Sequence, residues 1–156
     1  MTPDDYCQQK AAQSGSSFYY SFLFLPAPKR RAITAFYAFC REVDDAVDEV
    51  SDPHVARTKL SWWRTEVGRL ASGKPEHPVT QAMQPFMSEA SITPQRLQWV
   101  IDGMQMDLDQ TRYLDFANLA KYCHLVAGVV GLVAAGIFGA SDQRTYEYAD
   151  KLGLAL

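Results

Sequence analysis

Four side chains fall at helical spacing in one stretch of the chain: Tyr37, Arg41, Asp44 and Asp48. Steps of three and four residues place them on one face of a helix. Asp45 and Glu49 sit beside them. Asp44 and Asp48 form one like-charged pair a turn apart, and Asp45 and Glu49 form another; such pairs repel on a helix. No basic residue follows within the helix to relieve them. A doubled acidic step of this kind suits a hard cation. Mg²⁺ takes oxygen ligands at ~2.0–2.1 Å and is commonly held by one or two carboxylates together with phosphate oxygens and water. The competing reading is a solvated acidic helix end, and Tyr37 and Arg41 on the same line weigh against it.

The helix that must carry these residues runs from about Pro28 to Val50, where Ser51-Asp52-Pro53 stops it. Its apolar seam is Ile33, Phe36, Cys40, Val43, Val47 and Val50, so the acids border a seam and do not sit opposite it. Upstream, Thr2-Pro3 caps a short helix over residues 2–15, and Ser14-Gly15-Ser16-Ser17 breaks it. Phe18 to Leu25 is dense in aromatics. It has no second strand to pair with, and a lone strand is unstable, so it is read as a helical or irregular segment packed on helices.

Downstream, His54 to Ala71 is a helix with Ala56, Leu60, Trp63, Val67 and Leu70 inward. Pro78 to about Glu89 is a short one with Val79, Ala82, Met83 and Phe86 inward. Thr93-Pro94 caps a helix with Leu97, Val100, Ile101, Met104 and Leu108 on its apolar side and Asp102, Asp107 and Asp109 on its polar line. That helix points toward Arg112-Tyr113. Asp115 or Asn118 opens the last long helix, which is uncharged from Leu125 to Ala140. The uncharged run is short of the ~20 residues of a bilayer span and rich in small residues, so a helix buried in a bundle is expected. Gly128 and Gly131 would admit a close backbone neighbour. A further helix starts near Asp142 and the pattern stops at Leu156 in mid-helix, which reads as a piece of a longer protein.

The 156 residues are 47% apolar, enough for one globular core. A net charge of −3 with no basic block excludes nucleic acid as a partner. Cys7, Cys40 and Cys123 are odd in number and scattered, which argues against a disulfide framework and fits a reducing, cytoplasmic setting. No signal peptide is visible. His124 and Cys123, neighbours on a helix, point ~100° apart and make no site; His54 and His77 suggest nothing specific, and Trp62-Trp63 reads as surface plus core.

The assembled motifs resemble the squalene/phytoene synthase family over nearly the whole chain. Ser16-Ser17-Phe18-Tyr19-Tyr20-Ser21-Phe22 resembles its N-terminal segment. Tyr37 through Asp48 is similar to its first aspartate-rich motif. Asp102-Gly-Met-Gln-Met-Asp107 with Arg112-Tyr113 resembles its central helix, and Tyr122-Cys123 through Gly131 its first signature. The likeness is strongest to members that join two farnesyl diphosphates into presqualene diphosphate in the bacterial hopanoid route. Phytoene and dehydrosqualene synthases share the motifs.

The resemblance implies an all-α helical bundle of the isoprenoid synthase type, with residues 1–156 as the N-terminal part of a single domain. It implies Mg²⁺ held by Asp44, Asp45 and Asp48, and diphosphate bound by Arg41 and Ser17. Tyr37 and Phe18 would face a carbocation, and Tyr122 and Asp107 would contribute to substrate binding. Farnesyl diphosphate is the implied partner, with peripheral membrane contact through a lipophilic product. The family's second aspartate-rich motif follows a stretch like Lys151–Leu156 and is absent here. Asp102, Asp107 and Asp109 do not stack on one face and cannot replace it. These residues alone are therefore not expected to catalyse, and covering helices missing over Leu125–Ala140 would leave an apolar patch. The alternative is a non-catalytic relative acting as a helical assembly or binding protein. A head-to-tail prenyltransferase or terpene cyclase does not fit the Tyr122–Gly131 signature.

Overall fold

The computed structural model describes residues 1–87, 92–109, 115–139, 143–145 and 147, with Phe18 described by its backbone alone. The described residues contain helices and no strand. In chain order they are α1 (Pro3–Gln13), α2 (Ser17–Phe22), α3 (Ala27–Asp48), α4 (Pro53–Ala71), α5 (Pro78–Met83), α6 (Pro94–Asp109), α7 (Phe116–Cys123) and α8 (Val129–Ile137). A 3₁₀ turn, Gln84–Phe86, extends α5. A π turn, His124–Gly128, joins α7 to α8 into one rod.

The helix starts follow from their caps. Thr2 Oγ1 accepts the Asp5 amide at 3.1 Å while Asp5 Oδ2 accepts the Thr2 amide at 2.9 Å, a reciprocal capping box. Asp52 accepts the His54 amide at 2.9 Å and Thr93 accepts the Arg96 amide at 3.2 Å. Of the two candidates for the last start, Asp115 is the cap and accepts the Asn118 amide at 2.8 Å. Gly15, with φ +69°, closes α1 in a conformation open to glycine.

The centre of the bundle is α3, packed by α1, α4, α5 and α6. Its core face is Ala32, Ala35, Phe39, Val43 and Ala46, all buried, with Phe39 edge-on to Trp63 at 5.7 Å. Of the expected seam, Ile33, Phe36 and Val43 are buried core, Cys40 and Val47 are half-buried, and Val50 lies beyond the helix. Alanines at 32, 35 and 46 conceal the true core line, because their small side chains mark helix–helix contact as well as indifferent surface. In α4 and α5 the expected inward residues are all buried. In α6, Leu97, Val100 and Ile101 are buried while Met104 and Leu108 pack at the margin.

The rod Phe116–Ile137 is less buried than a helix in the middle of a bundle and shows the exposed apolar surface expected from Leu125 onward. It is 22 residues long with mean hydropathy 1.6, long and apolar enough to cross a membrane by length and composition, and only 28% of its most apolar window is buried. It lies on α6 and α3 by the side bearing Leu125, Val129, Val133 and Ile137. The rod is therefore a wall and not a central helix. Gly103 on α6 is a point of close approach to the rod: a Cβ there would meet Leu125 Cβ and Val126 Cγ2 at 3.1 Å and the Leu125 carbonyl carbon at 3.2 Å. The expected continuation to Arg112-Tyr113, the end of the α5 helix near Glu89, and the helix from Asp142 to Leu156 lie outside the described residues.

Candidate active site

Between α2, α3, α6 and the rod lies a trough of about 770 Å³. Its floor is apolar, with Phe22, Ile33, Phe36, Val100, Met104 and Val130 among its lining. The volume is in the range of pockets that enclose small organic ligands. One end is lined by Leu25 and Phe138, and Lys29 Nζ donates to the Phe138 carbonyl at 3.2 Å to tie the two walls there. At the other end the lining turns polar: Tyr37, Arg41 and Asp44 enter from α3. From Ile33 to Asp44 the helix advances about 16 Å, so the polar mouth and the apolar end are well separated.

The mouth is organised by Arg41. Its Nη1 donates to Asp44 Oδ2 at 2.8 Å and its Nη2 to Asp45 Oδ1 at 3.0 Å. Asp45 is engaged on its other side as well, where Lys10 Nζ of α1 meets Oδ2 at 2.7 Å. The acidic step is therefore relieved by Arg41 from the preceding turn and by a lysine from another helix, which no reading of α3 alone reveals. Asp44 remains the stressed group. Burial, then the neighbouring Asp48 charge, hold its carboxyl above the usual range against the pull of Arg41, with Asp45 and Asp107 adding to the rise. Asp48 is exposed at the rim.

Asp107, across the mouth on α6, accepts from Tyr122 Oη at 3.2 Å, so two residues singled out separately in the sequence meet. The other acids of that line point elsewhere, Asp102 to Arg64 at 2.6 Å and Asp109 to Arg57 at 3.1 Å. Tyr37 lines the trough, donates its hydroxyl to Ser14 Oγ at 3.0 Å, and stands edge-on to Phe22 at 5.7 Å.

Three expectations need correction or restriction. Asp45 shares the Arg41 guanidinium with Asp44, and its other oxygen turns to Lys10 of α1, so both its oxygens are in ion pairs. Among the described residues no three histidine, cysteine, aspartate or glutamate side chains stand together as a metal cage. Of the acids named from the sequence, Asp44 lines the trough, while Asp48 and Asp107 lie near enough to raise its carboxyl. Ser17 opens α2 and is exposed, while its neighbours Ser16 and Ser21 line the trough. The side chain of Phe18 lies outside what is described. Cys40 lines the trough, but its thiol is pushed up to about 12 by burial and by Asp44, which removes it as a nucleophile at neutral pH.

A family model described as squalene/phytoene synthase matches residues 11–156. The chain belongs to the squalene/phytoene synthase family. Among curated relatives, a chloroplastic phytoene synthase of Daucus carota is 32% identical over 97% of the chain, and a 15-cis-phytoene synthase of Synechococcus elongatus is 36% identical over 89%. The chain spans 39% and 45% of those two proteins. Among solved structures, squalene synthase HpnC from Alicyclobacillus acidocaldarius superposes with a TM-score of 0.87 at 26% identity, and a dehydrosqualene synthase with 0.84 at 27%. These superpositions cover 99% and 98% of the chain but 58% and 53% of the two neighbours. The fold is thus the all-α bundle of the isoprenoid synthases.

Sequence reasoning missed Lys10 and Glu66. Lys10 and Tyr6 lie one turn apart on α1 and both reach Glu42 of α3, Tyr6 Oη at 2.5 Å and Lys10 Nζ at 3.5 Å. Their four-residue spacing was the available signal. Glu66, fully buried in α4, accepts the Glu76 and His77 amides at 2.8 Å each, Thr80 Oγ1 at 2.5 Å and Arg69 at 3.1 Å. It fixes the loop that launches α5. His77 then caps α5, its Nδ1 accepting the Val79 amide at 3.1 Å.

Proposed function

We propose that the full-length protein is a prenyltransferase that joins two farnesyl diphosphates head to head into presqualene diphosphate. The observation that carries this reading is the trough: an apolar groove of about 770 Å³ with Arg41 and Asp44 at one end. An allylic diphosphate is a molecule of that polarity, charged at one end and hydrocarbon at the other. Arg41 presents a planar fork suited to bidentate contact with diphosphate oxygens. Asp44 and Asp48, with Asp107 opposite, supply hard oxygen donors for Mg²⁺, which would neutralise the departing diphosphate as a Lewis acid. The apolar floor keeps water from the cation left behind. Tyr37 lends a ring at the boundary between charge and hydrocarbon, and aromatic faces attract cations by roughly 0.5–2 kcal/mol.

A lipid product leaves by the apolar end. There Phe24 is 91% exposed and Phe138 46% exposed, which supports contact with the bilayer at that end. Phytoene synthesis is the second reading, favoured by the names of the sequence relatives. The product separates the two. The full-length protein, given allylic diphosphates of different length with Mg²⁺ and no reductant, should make a cyclopropyl diphosphate from two farnesyl units. A hydrocarbon made only from a longer substrate would select phytoene synthesis instead.

A further inference from the structure

Arg41 does not stand alone at the mouth of the trough. Its guanidinium is shared between Asp44, at 2.8 Å, and Asp45, at 3.0 Å. The far oxygen of Asp45 is held by Lys10 at 2.7 Å, and Lys10 is steadied by Glu42 at 3.5 Å, which in turn accepts from Tyr6. The chain of contacts runs from α1 to the trough without a gap. Its inner members are sheltered: the side chains of Asp45 and Glu42 are each 15% exposed and that of Lys10 is 23% exposed. Pairs so placed are screened less than exposed surface pairs.

We propose that Lys10 is a positioning residue for Arg41, acting through Asp45. This rests on the diphosphate-binding reading of Arg41. An incoming diphosphate must compete with two carboxylates for one guanidinium. Lys10 neutralises Asp45 from behind and so weakens its hold on Arg41, while keeping Asp45 fixed as an anchor. Without Lys10, Asp45 becomes a sheltered carboxylate whose nearest counter-charge is Arg41. The guanidinium is then drawn toward Asp45 and away from Asp44 and the trough. Lys10 touches no ligand in this scheme. Its effect must vanish when Asp45 carries no charge.

The test is a double-mutant cycle on the full-length protein, read by calorimetric titration with inorganic diphosphate in excess Mg²⁺. Lys10→Met should weaken binding roughly tenfold, the scale of one misplaced hydrogen bond to a charged group. Lys10→Arg should restore it to near the wild-type value, which a loss of packing alone would not allow. Adding Lys10→Met to Asp45→Asn should weaken binding no further than Asp45→Asn does. Asp45→Asn preserves side-chain shape and tests the link from the other end, should Lys10→Met fail to fold; it removes a charge that competes for Arg41, so on its own it should not weaken binding. Unchanged affinity in a folded Lys10→Met protein, weaker binding in a folded Asp45→Asn protein, or a loss from Lys10→Met that persists in the Asp45→Asn background, overturns the positioning role, while wild-type binding leaves the diphosphate reading standing. Absence of binding by the wild type overturns both.

Discussion

Asp44 and Asp45 are neighbours in sequence with opposite duties in the structure. Asp44 lines the trough under electrostatic stress, and Asp45 is locked between Arg41 and Lys10. Because burial and neighbouring acids disfavour its charge, Asp44→Asn should melt no lower than wild type at neutral pH while losing any stabilisation by Mg²⁺ with diphosphate. Glu66 is the reverse case. Burial would raise its carboxyl, but bonds from His77, Thr80, Glu76 and Arg69 outweigh burial and leave it below its ordinary value of 4.5. A carboxylate held low contributes stability above about 4.5 and loses it as pH falls through the lower folded value. Glu66→Ala strips four donors of this acceptor and should cost roughly 3 kcal/mol at pH 7 by urea unfolding. The difference from wild type should narrow in acid. That Tyr37, Arg41 and Asp44 share one face of α3 was legible from spacing, and all three line the trough. Asp45 and Glu66 were not legible, because their roles are set by partners on other helices and in a loop.

At the scale of elements, two glycines in helix interiors make opposite predictions. Nothing lies within 4 Å of a Cβ built on Gly68 of α4, so Gly68→Ala should gain about 1 kcal/mol from helix propensity. At Gly103 the same change meets the rod at 3.1–3.2 Å, including backbone. There the strain of about 1–3 kcal/mol for overfilling should exceed the propensity gain, and paired thermal melts would show the opposite signs. Helix boundaries were readable because Thr2, Asp52, Thr93 and Asp115 announce them locally. The inner face of α3 was not, since its alanines give a weak periodic signal beside Ile33, Phe36 and Cys40, which turn to the trough. The π turn at His124–Gly128 and its fit over Gly103 are tertiary facts with no local signature.

On the scale of the molecule, the chain forms a trough between α2, α3, α6 and the rod and covers a little over half of the two solved neighbours. Its apolar end exposes Phe24, Tyr20 and Phe138. If that end meets a bilayer, Phe24→Ser should reduce co-sedimentation with lipid vesicles about tenfold, the effect of withdrawing one phenylalanine from lipid; unchanged partition would remove membrane contact from the account. Family and fold were legible at this scale because four motifs occur in order along the chain. The depth of the trough, and the openness of the rod, depend on packing that periodicity does not encode. Everything functional depends on charge at one end of an apolar groove. The most direct measurement is release of inorganic diphosphate from farnesyl diphosphate by the full-length protein with Mg²⁺, wild type against Asp44→Asn at matched folded fraction. The wild type should release diphosphate and the variant should fall by at least a hundredfold, on the order of one lost metal ligand. Equal rates from both proteins would contradict the assignment of the trough mouth as the ionisation site.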